Sequence, residues 1–207
     1  MMTPPKITNR VSDRLSLGIN MFPGISVKDG AALRAYIEKE IPLIVEHHRR
    51  EMPLGFSFSR KLYRGFSIDP TKYRPSSEAL WRRMNKGLEF PVVNPFVDLT
   101  NFLSLMSQVP YGLYDMDRIQ GDIEAAQGTE GDEYEGIRKD TVTLNGKILL
   151  RDEQGPFGNP SSDSLRTSTS EQSTNVLQII FFHPEDPLKE KILSDSFNLF
   201  SEFFNIT

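Results

Sequence analysis

An α+β fold is predicted for this chain by three features of its sequence. Helix-period apolar patterns dominate before Pro110, short strand-like runs punctuated by turn residues dominate after it, and an amphipathic helix closes the chain. The 207 residues suffice for a hydrophobic core, and fourteen Phe, six Tyr and one Trp oppose disorder, which goes with few aromatics. No internal repeat and no linker divides the chain, so one domain over residues 1–207 is expected.

Taken in order, residues 1–15 are polar with Pro4-Pro5 and read as a frayed lead-in. Residues 17–22 form a strand ended by Pro23-Gly24. Asp29 caps a helix whose apolar positions are Leu33, Ile37, Ile41, Ile44 and Val45, with Pro42 predicting a kink or two shorter helices. Residues 60–68 alternate loosely and read as a strand turned by Asp69-Pro70. Pro75-Ser76-Ser77-Glu78 opens a helix over 79–86 that Gly87 terminates. Asp98 caps the next, with Leu99, Phe102, Leu103 and Met106 on one face. Beyond Pro110, residues 122–127 are short and half-apolar, while 141–144 and 147–150 flank Asn145-Gly146, a strong hairpin signal. Residues 155–173 read as a long loop region and 176–182 as a buried strand. Asp186-Pro187 supplies N-cap and N1 for a final helix bearing Leu188, Ile192, Leu193, Phe197, Phe200 and Phe204.

Several function classes are excluded or disfavoured. Without Cys there is no disulfide scaffold, thiolate metal site or cysteine nucleophile. The first twenty residues carry Lys6, Arg10, Asp13 and Arg14 and no apolar core of a signal peptide, and no apolar run approaches a membrane span. A soluble, cytoplasmic protein is therefore expected. His47 and His48 are adjacent and diverge by about 100° on a helix, so they cannot share a metal; His183 stands alone. Asp115, Asp117 and Asp122 offer hard oxygen ligands for Mg²⁺, but turn capping explains them better. No P-loop, dinucleotide fingerprint or nucleophile elbow is present. No cofactor and no metal are expected.

Formal net charge is −4, but it is unevenly spread. Between His47 and Gly87 ten Lys/Arg face three acids, a local +7, with Phe56, Phe58, Tyr63, Phe66, Tyr73 and Trp81 interleaved. Such a block can grip phosphates while aromatics stack bases, although solvated helix faces over a packed core give the same pattern. Arg60, Lys61, Arg64, Arg82 and Arg83 are the candidate RNA contacts. The acidic remainder opposes non-specific nucleic-acid binding, and no DNA is expected as a partner.

The most distinctive stretch is Pro91-Val-Val-Asn-Pro-Phe-Val-Asp-Leu-Thr-Asn101, followed by Pro110-Tyr-Gly-Leu-Tyr-Asp-Met-Asp-Arg-Ile-Gln-Gly121. It resembles the editing (B3/B4) domain of the phenylalanyl-tRNA synthetase β-subunit. Arg64-Gly-Phe-Ser-Ile-Asp-Pro, Pro75-Ser-Ser-Glu-Ala-Leu-Trp-Arg-Arg, Gly155-Pro-Phe-Gly158 and residues 175–182 extend the likeness over roughly 60–183, with the motifs in the family's order. The resemblance implies a layered sandwich of unusual topology in a free-standing member of that family. It further implies a partner, tRNA or aminoacyl-tRNA, and a reaction, hydrolysis of a mis-acylated ester in trans.

Carried over by position, the resemblance assigns the ester or its water to Thr100 and Asn101, and close backbone approach to Gly155 and Gly158. Three substrate-binding positions depart: the family's Arg falls on Phe90, its His on Gly112, and its strand Glu on or next to Gln178. A Gln both donates and accepts but offers no charge to an α-ammonium, and Gly112 leaves a void to be filled, so a different amino-acid specificity is implied. Capping alone would also explain the polar run at Asp98, Thr100 and Asn101. The alternatives are a non-catalytic tRNA-binding module with a degenerate pocket, and a small-molecule binder that no longer holds RNA.

Overall fold

The computed structural model describes residues 4–51 and 53–207, and β10 (Val176–Phe182) is the strand about which the layers are built. All seven of its residues are buried. It pairs antiparallel with β2 (Ser16–Phe22) on one side and with β4 (Tyr111–Asp115) on the other. Strand side chains alternate between faces, and both faces of β10 are covered. Val176, Ile180 and Phe182 enter one core with α1 (Gly30–Arg50), α4 (Pro95–Ser107) and α5 (Lys189–Phe203). Leu177, Ile179 and Phe181 enter another. There they meet Leu62, Tyr63 and Phe66 of the α2 region (Leu54–Gly65) and apolar side chains of a second sheet.

That second sheet runs β1 (Ile7–Asn9), β5 (Ile123–Gln127), β8 (Ile148–Asp152), β9 (Gly155–Gly158). The order of layers is thus helices, three-stranded sheet, four-stranded sheet: the α+β sandwich the resemblance implies. Full burial of a Leu, Ile or Phe side chain contributes about 1.5–3 kcal/mol, so the two faces of β10 together are a large part of what holds the layers. β3 (Ser26–Val27) pairs with β11 (Phe204–Asn205), and β6 (Glu133–Glu135) with β7 (Thr141–Thr143). Among the described residues, no helix is long and apolar enough to cross a membrane.

Local chemistry explains most elements. Asp29 Oδ1 accepts from the backbone N–H of Ala31 and Ala32, and the stripe Leu33, Ile37, Ile41, Val45 buries α1. The helix runs unbroken through Pro42: the packed stripe outweighs one lost hydrogen bond. α3 (Ser76–Asn85) ends at Gly87, whose φ of 72° suits the left-handed turn.

Other expectations are corrected. Residues 60–65 are the second half of α2, a helix whose buried side begins at Phe56 and continues through Ser59, Leu62 and Tyr63. α4 is capped by Asn94, which accepts from Val97 N–H, with Pro95 as the first helical residue. Asp98 lies within the helix and accepts from Val93 N–H, and Thr100 and Asn101 lie deeper still, so capping does not explain them. Asn145-Gly146 does turn the chain, but β7 leaves to pair with β6 while β8 pairs with β5 and β9, so no hairpin forms across it. Asp186 accepts from Leu188 N–H in the turn before α5, which starts at Lys189. Residues 155–158 are a strand and not loop. Residues 4–15 are not frayed: β1 pairs parallel with β5, and Val11 and Leu15 are buried; the first three residues lie outside the described ones.

Candidate functional site

Helix α4 presents Val97, Thr100, Asn101 and Ser104 along one face, the i, i+3, i+4, i+7 spacing that stacks side chains on a helix surface. This face walls a cavity of about 270 Å³ closed by Tyr111 and Leu113 of β4, Leu80 of α3, and the loop from Asn159 to Asp163. Thr100 and Asn101, the expected catalytic pair, are therefore neighbours in one hollow. Their chemistry differs. The Thr100 hydroxyl donates to Phe96 C=O at 2.9 Å, so toward the hollow it can act as an acceptor. Asn101 is half-buried and keeps both a donor and an acceptor.

The opposite wall carries a group that sequence reasoning missed. Asp163 accepts a 2.7 Å hydrogen bond from the Tyr114 hydroxyl, and burial pushes its carboxyl up to about 7. Its loop is held by many bonds. Asn159 Oδ1 accepts from the N–H of Ser161 and Ser162, Asn159 Nδ2 donates to the Tyr134 hydroxyl at 2.8 Å, and Tyr134 in turn donates to Ser162 C=O. Tyr63 and Ser161 share a 2.7 Å hydroxyl pair, and Ile137 N–H donates to Asp163 C=O. A single Asp inside a Ser-rich loop gives no sequence signal; only the tertiary placement raises its pKa into the physiological range.

The other expected substrate contacts do not line this cavity. Gln178 is fully buried beneath α5, where its Oε1 accepts from Asn20 Nδ2 at 3.1 Å and Ser196 Oγ at 2.6 Å. Phe90 lies in a separate cleft of about 650 Å³ between α1 and residues 89–98. Gly112 and Gly158 both abut the Tyr114 ring, which occupies the void anticipated at Gly112. Gly155 sits at the β8–β9 turn with a φ of 119°, its carbonyl facing Arg166, which grips Asp152 with two 2.9 Å bonds. A third cleft of about 600 Å³ between α1 and α5 includes His48, whose pKa burial and its neighbour His47 lower to about 4, so it packs as a neutral ring against Gln108.

The basic block is partly structural. Arg60 places two bonds, 2.9 and 2.7 Å, on Glu78, and Arg82 adds a third at 3.0 Å. Burial opposes charge on Glu78, but the bonds from Arg60 and Arg82 outweigh it and hold the carboxyl below its usual range. Arg83 donates to Glu89 C=O, and Lys61 lies 4.7 Å from the Phe58 ring centre. Arg64 is exposed.

The aspartates weighed as Mg²⁺ ligands are used locally instead. Asp115 accepts from Asp117 N–H and Ser173 Oγ, Asp117 from Asn175, and Asp122 from Lys6 N–H. Among the described residues, no three His, Asp or Glu side chains converge as metal ligands.

Over 109 residues the chain is 27% identical to the phenylalanine–tRNA ligase β-subunit of Bartonella henselae, covering 51% of this chain and 13% of that protein. The chain thus spans a small fraction of that relative's length. A solved N-terminal fragment of the phenylalanyl-tRNA synthetase β-subunit from Pyrococcus horikoshii aligns with 52% of this chain and 41% of that one, at 14% identity and a TM-score of 0.42. Residues 59–200 match the family model described as the B3/4 domain, from the middle of α2 into α5, and on that match the chain belongs to the B3/4 domain family.

Proposed function

We propose that this chain, acting as one domain in the cytoplasm, hydrolyses a mis-acylated aminoacyl-tRNA ester in trans, with the acyl group seated in the cavity between α4 and the Asn159–Asp163 loop. The observation that carries the reading is that Thr100 and Asn101, the positions matching the family's pocket, share that hollow in a chain of the B3/4 family. The tRNA partner rests on the family and on the relative's name.

The reaction asks for little machinery. Water attacks the ester carbonyl, negative charge builds on the carbonyl oxygen, and the bond to the ribose oxygen breaks as that oxygen takes up a proton. The Asn101 amide N–H is the donor for the developing oxyanion, and the Thr100 hydroxyl accepts from the attacking water. Because Gln178 and Phe90 stand outside the cavity, specificity falls to the cavity's own lining, and tyrosyl specificity is not inherited.

A second reading, a tRNA-binding module without hydrolysis, is favoured by one observation: Tyr114 fills the space at Gly112 where the resemblance puts an imidazole. Incubation with a full panel of charged tRNAs separates the two. Loss of the ester from at least one, dependent on Asn101, supports the hydrolase. Retention without hydrolysis, weakening steeply with salt, supports the second reading, and no binding leaves a small-molecule binder.

A further inference from the structure

Asp163 is the one charged side chain among the residues lining the α4 cavity; the rest are hydroxyls, amides and apolar groups. Tyr114 fixes one carboxyl oxygen by a 2.7 Å bond, and that bond joins a loop already held by Asn159, Tyr134 and Tyr63. None of the groups that perturb its ionisation is a cation. A half-buried carboxyl without a positive partner is costly to charge unless something else brings the counter-charge.

We propose that Asp163 anchors a small primary ammonium group in this cavity, the α-ammonium of the acyl group where the bound molecule is an aminoacyl ester. The second clause rests on the hydrolase reading; the first does not. An anion is repelled by the carboxylate, and a neutral ligand leaves it hydrogen-bonded but without a counter-charge. A cation meets a fixed, partly desolvated charge, where attraction exceeds what water allows. The volume, about 270 Å³, lies at the small end of ligand pockets and suits an amino-acid-sized group. The carboxylate that the resemblance puts on the last core strand is Gln178 here, with its oxygen already taken by Asn20 and Ser196. Asp163 supplies a charge from a different element, the loop before that strand.

The test measures binding of amino alcohols derived from the natural amino acids, each against the same alcohol lacking the amine, by calorimetry on the full chain at about pH 8, above the carboxyl's value. At least one amino alcohol is expected to bind about tenfold or more tightly than its desamino partner. In Asp163→Asn, which keeps an oxygen for Tyr114, that preference disappears. Equal affinities within every pair, no binding by any amino alcohol, or a preference that survives Asp163→Asn in a folded variant would each overturn the proposal. Should Asp163→Asn not fold, the wild-type preference is read against pH instead: it must fade as the carboxyl protonates, and a preference unchanged down to about pH 5 counts against Asp163. Ammonium binding without hydrolysis of any charged tRNA would retain this site while removing the hydrolase reading.

Discussion

The Tyr114 ring lies folded back over Gly112, two residues earlier on the same strand, so that a β-carbon at position 112 would collide with the phenol. Gly158, on β9 of the four-stranded sheet packed against it, would collide with the same ring. Two glycines therefore make room for one tyrosine, and that tyrosine's hydroxyl fixes Asp163. Both positions act on the cavity through Tyr114.

Gly112→Ala and Gly158→Ala are accordingly expected to destabilise by about 1–3 kcal/mol each, the usual cost of forcing atoms into a packed site. Chemical denaturation measures it. Wild-type stability in both variants would mean that the ring moves freely and does not hold Asp163.

Glu78 is 2% exposed yet carries the bonds from Arg60 of α2 and Arg82 of α3. Glu78→Gln is expected to cost about 1–3 kcal/mol, since charge-assisted bonds are replaced by weaker ones. The folded carboxyl is held below its usual range, so its contribution is present above the unfolded pKa and is lost as pH falls through the folded one. Thermal melts of wild type should therefore converge on those of Glu78→Gln in acid, and a difference independent of pH would contradict the ion-pair account.

The sequence and the structure part company for identifiable reasons. β10 and α1 were legible because an unbroken apolar run and a one-sided stripe each leave little choice of burial. Residues 60–68 of the α2 region read as a strand because the pattern from Arg60 onward leaves out Phe56 and Ser59, and only the longer run Phe56, Ser59, Leu62, Tyr63 shows the helical period. The Asn145-Gly146 turn was legible, but its partners were not, since β6 and β5 compete for the flanking segments through contacts no local pattern encodes. Thr100 and Asn101 were found through motif resemblance. Asp163 carries no such signal, because its chemistry arises from Tyr114 and the enclosing loop and not from its neighbours in sequence.

Asp163 yields a pH signature of opposite sign to Glu78. Its folded pKa, raised to about 7, lies above the ordinary 3.8, so the native state holds a proton that the unfolded chain has released between those values. Stability from this group is full below the lower value and falls as pH rises through the higher. Tyr114 and Tyr134 are the titratable groups facing it, and burial pushes both hydroxyls above their usual range, so they stay neutral throughout. Asp163→Asn removes the titration. Relative to wild type its melting temperature should rise from pH 4 to pH 8, and a constant offset between the two would show that the carboxyl does not titrate in this window.

Asn101 stands half-buried on α4 with no cap or core bond to lose. Asn101→Ala should leave stability within about 0.5 kcal/mol while lowering ester hydrolysis about 10²-fold or more, the scale for removing one oxyanion donor. Thr100→Val tests the acceptor separately: it removes the hydroxyl while nearly keeping the shape. Unchanged turnover in both variants would clear α4 of any catalytic part.

The basic surface divides by what each guanidinium already does. Arg60 and Arg82 spend their bonds on Glu78, whereas Arg64, one turn beyond Arg60 on α2, is exposed. If α2 faces the tRNA backbone, Arg64→Ala should weaken retention of all tRNAs alike and reduce the slope of log affinity against log salt by about one, with no change in unfolding. Arg60→Ala should weaken retention too, but with a loss of stability, because it frees Glu78 from its principal partner. Measuring both quantities on both variants separates a phosphate contact from a structural one. Equal salt slopes in wild type and Arg64→Ala would move the RNA-binding face away from α2.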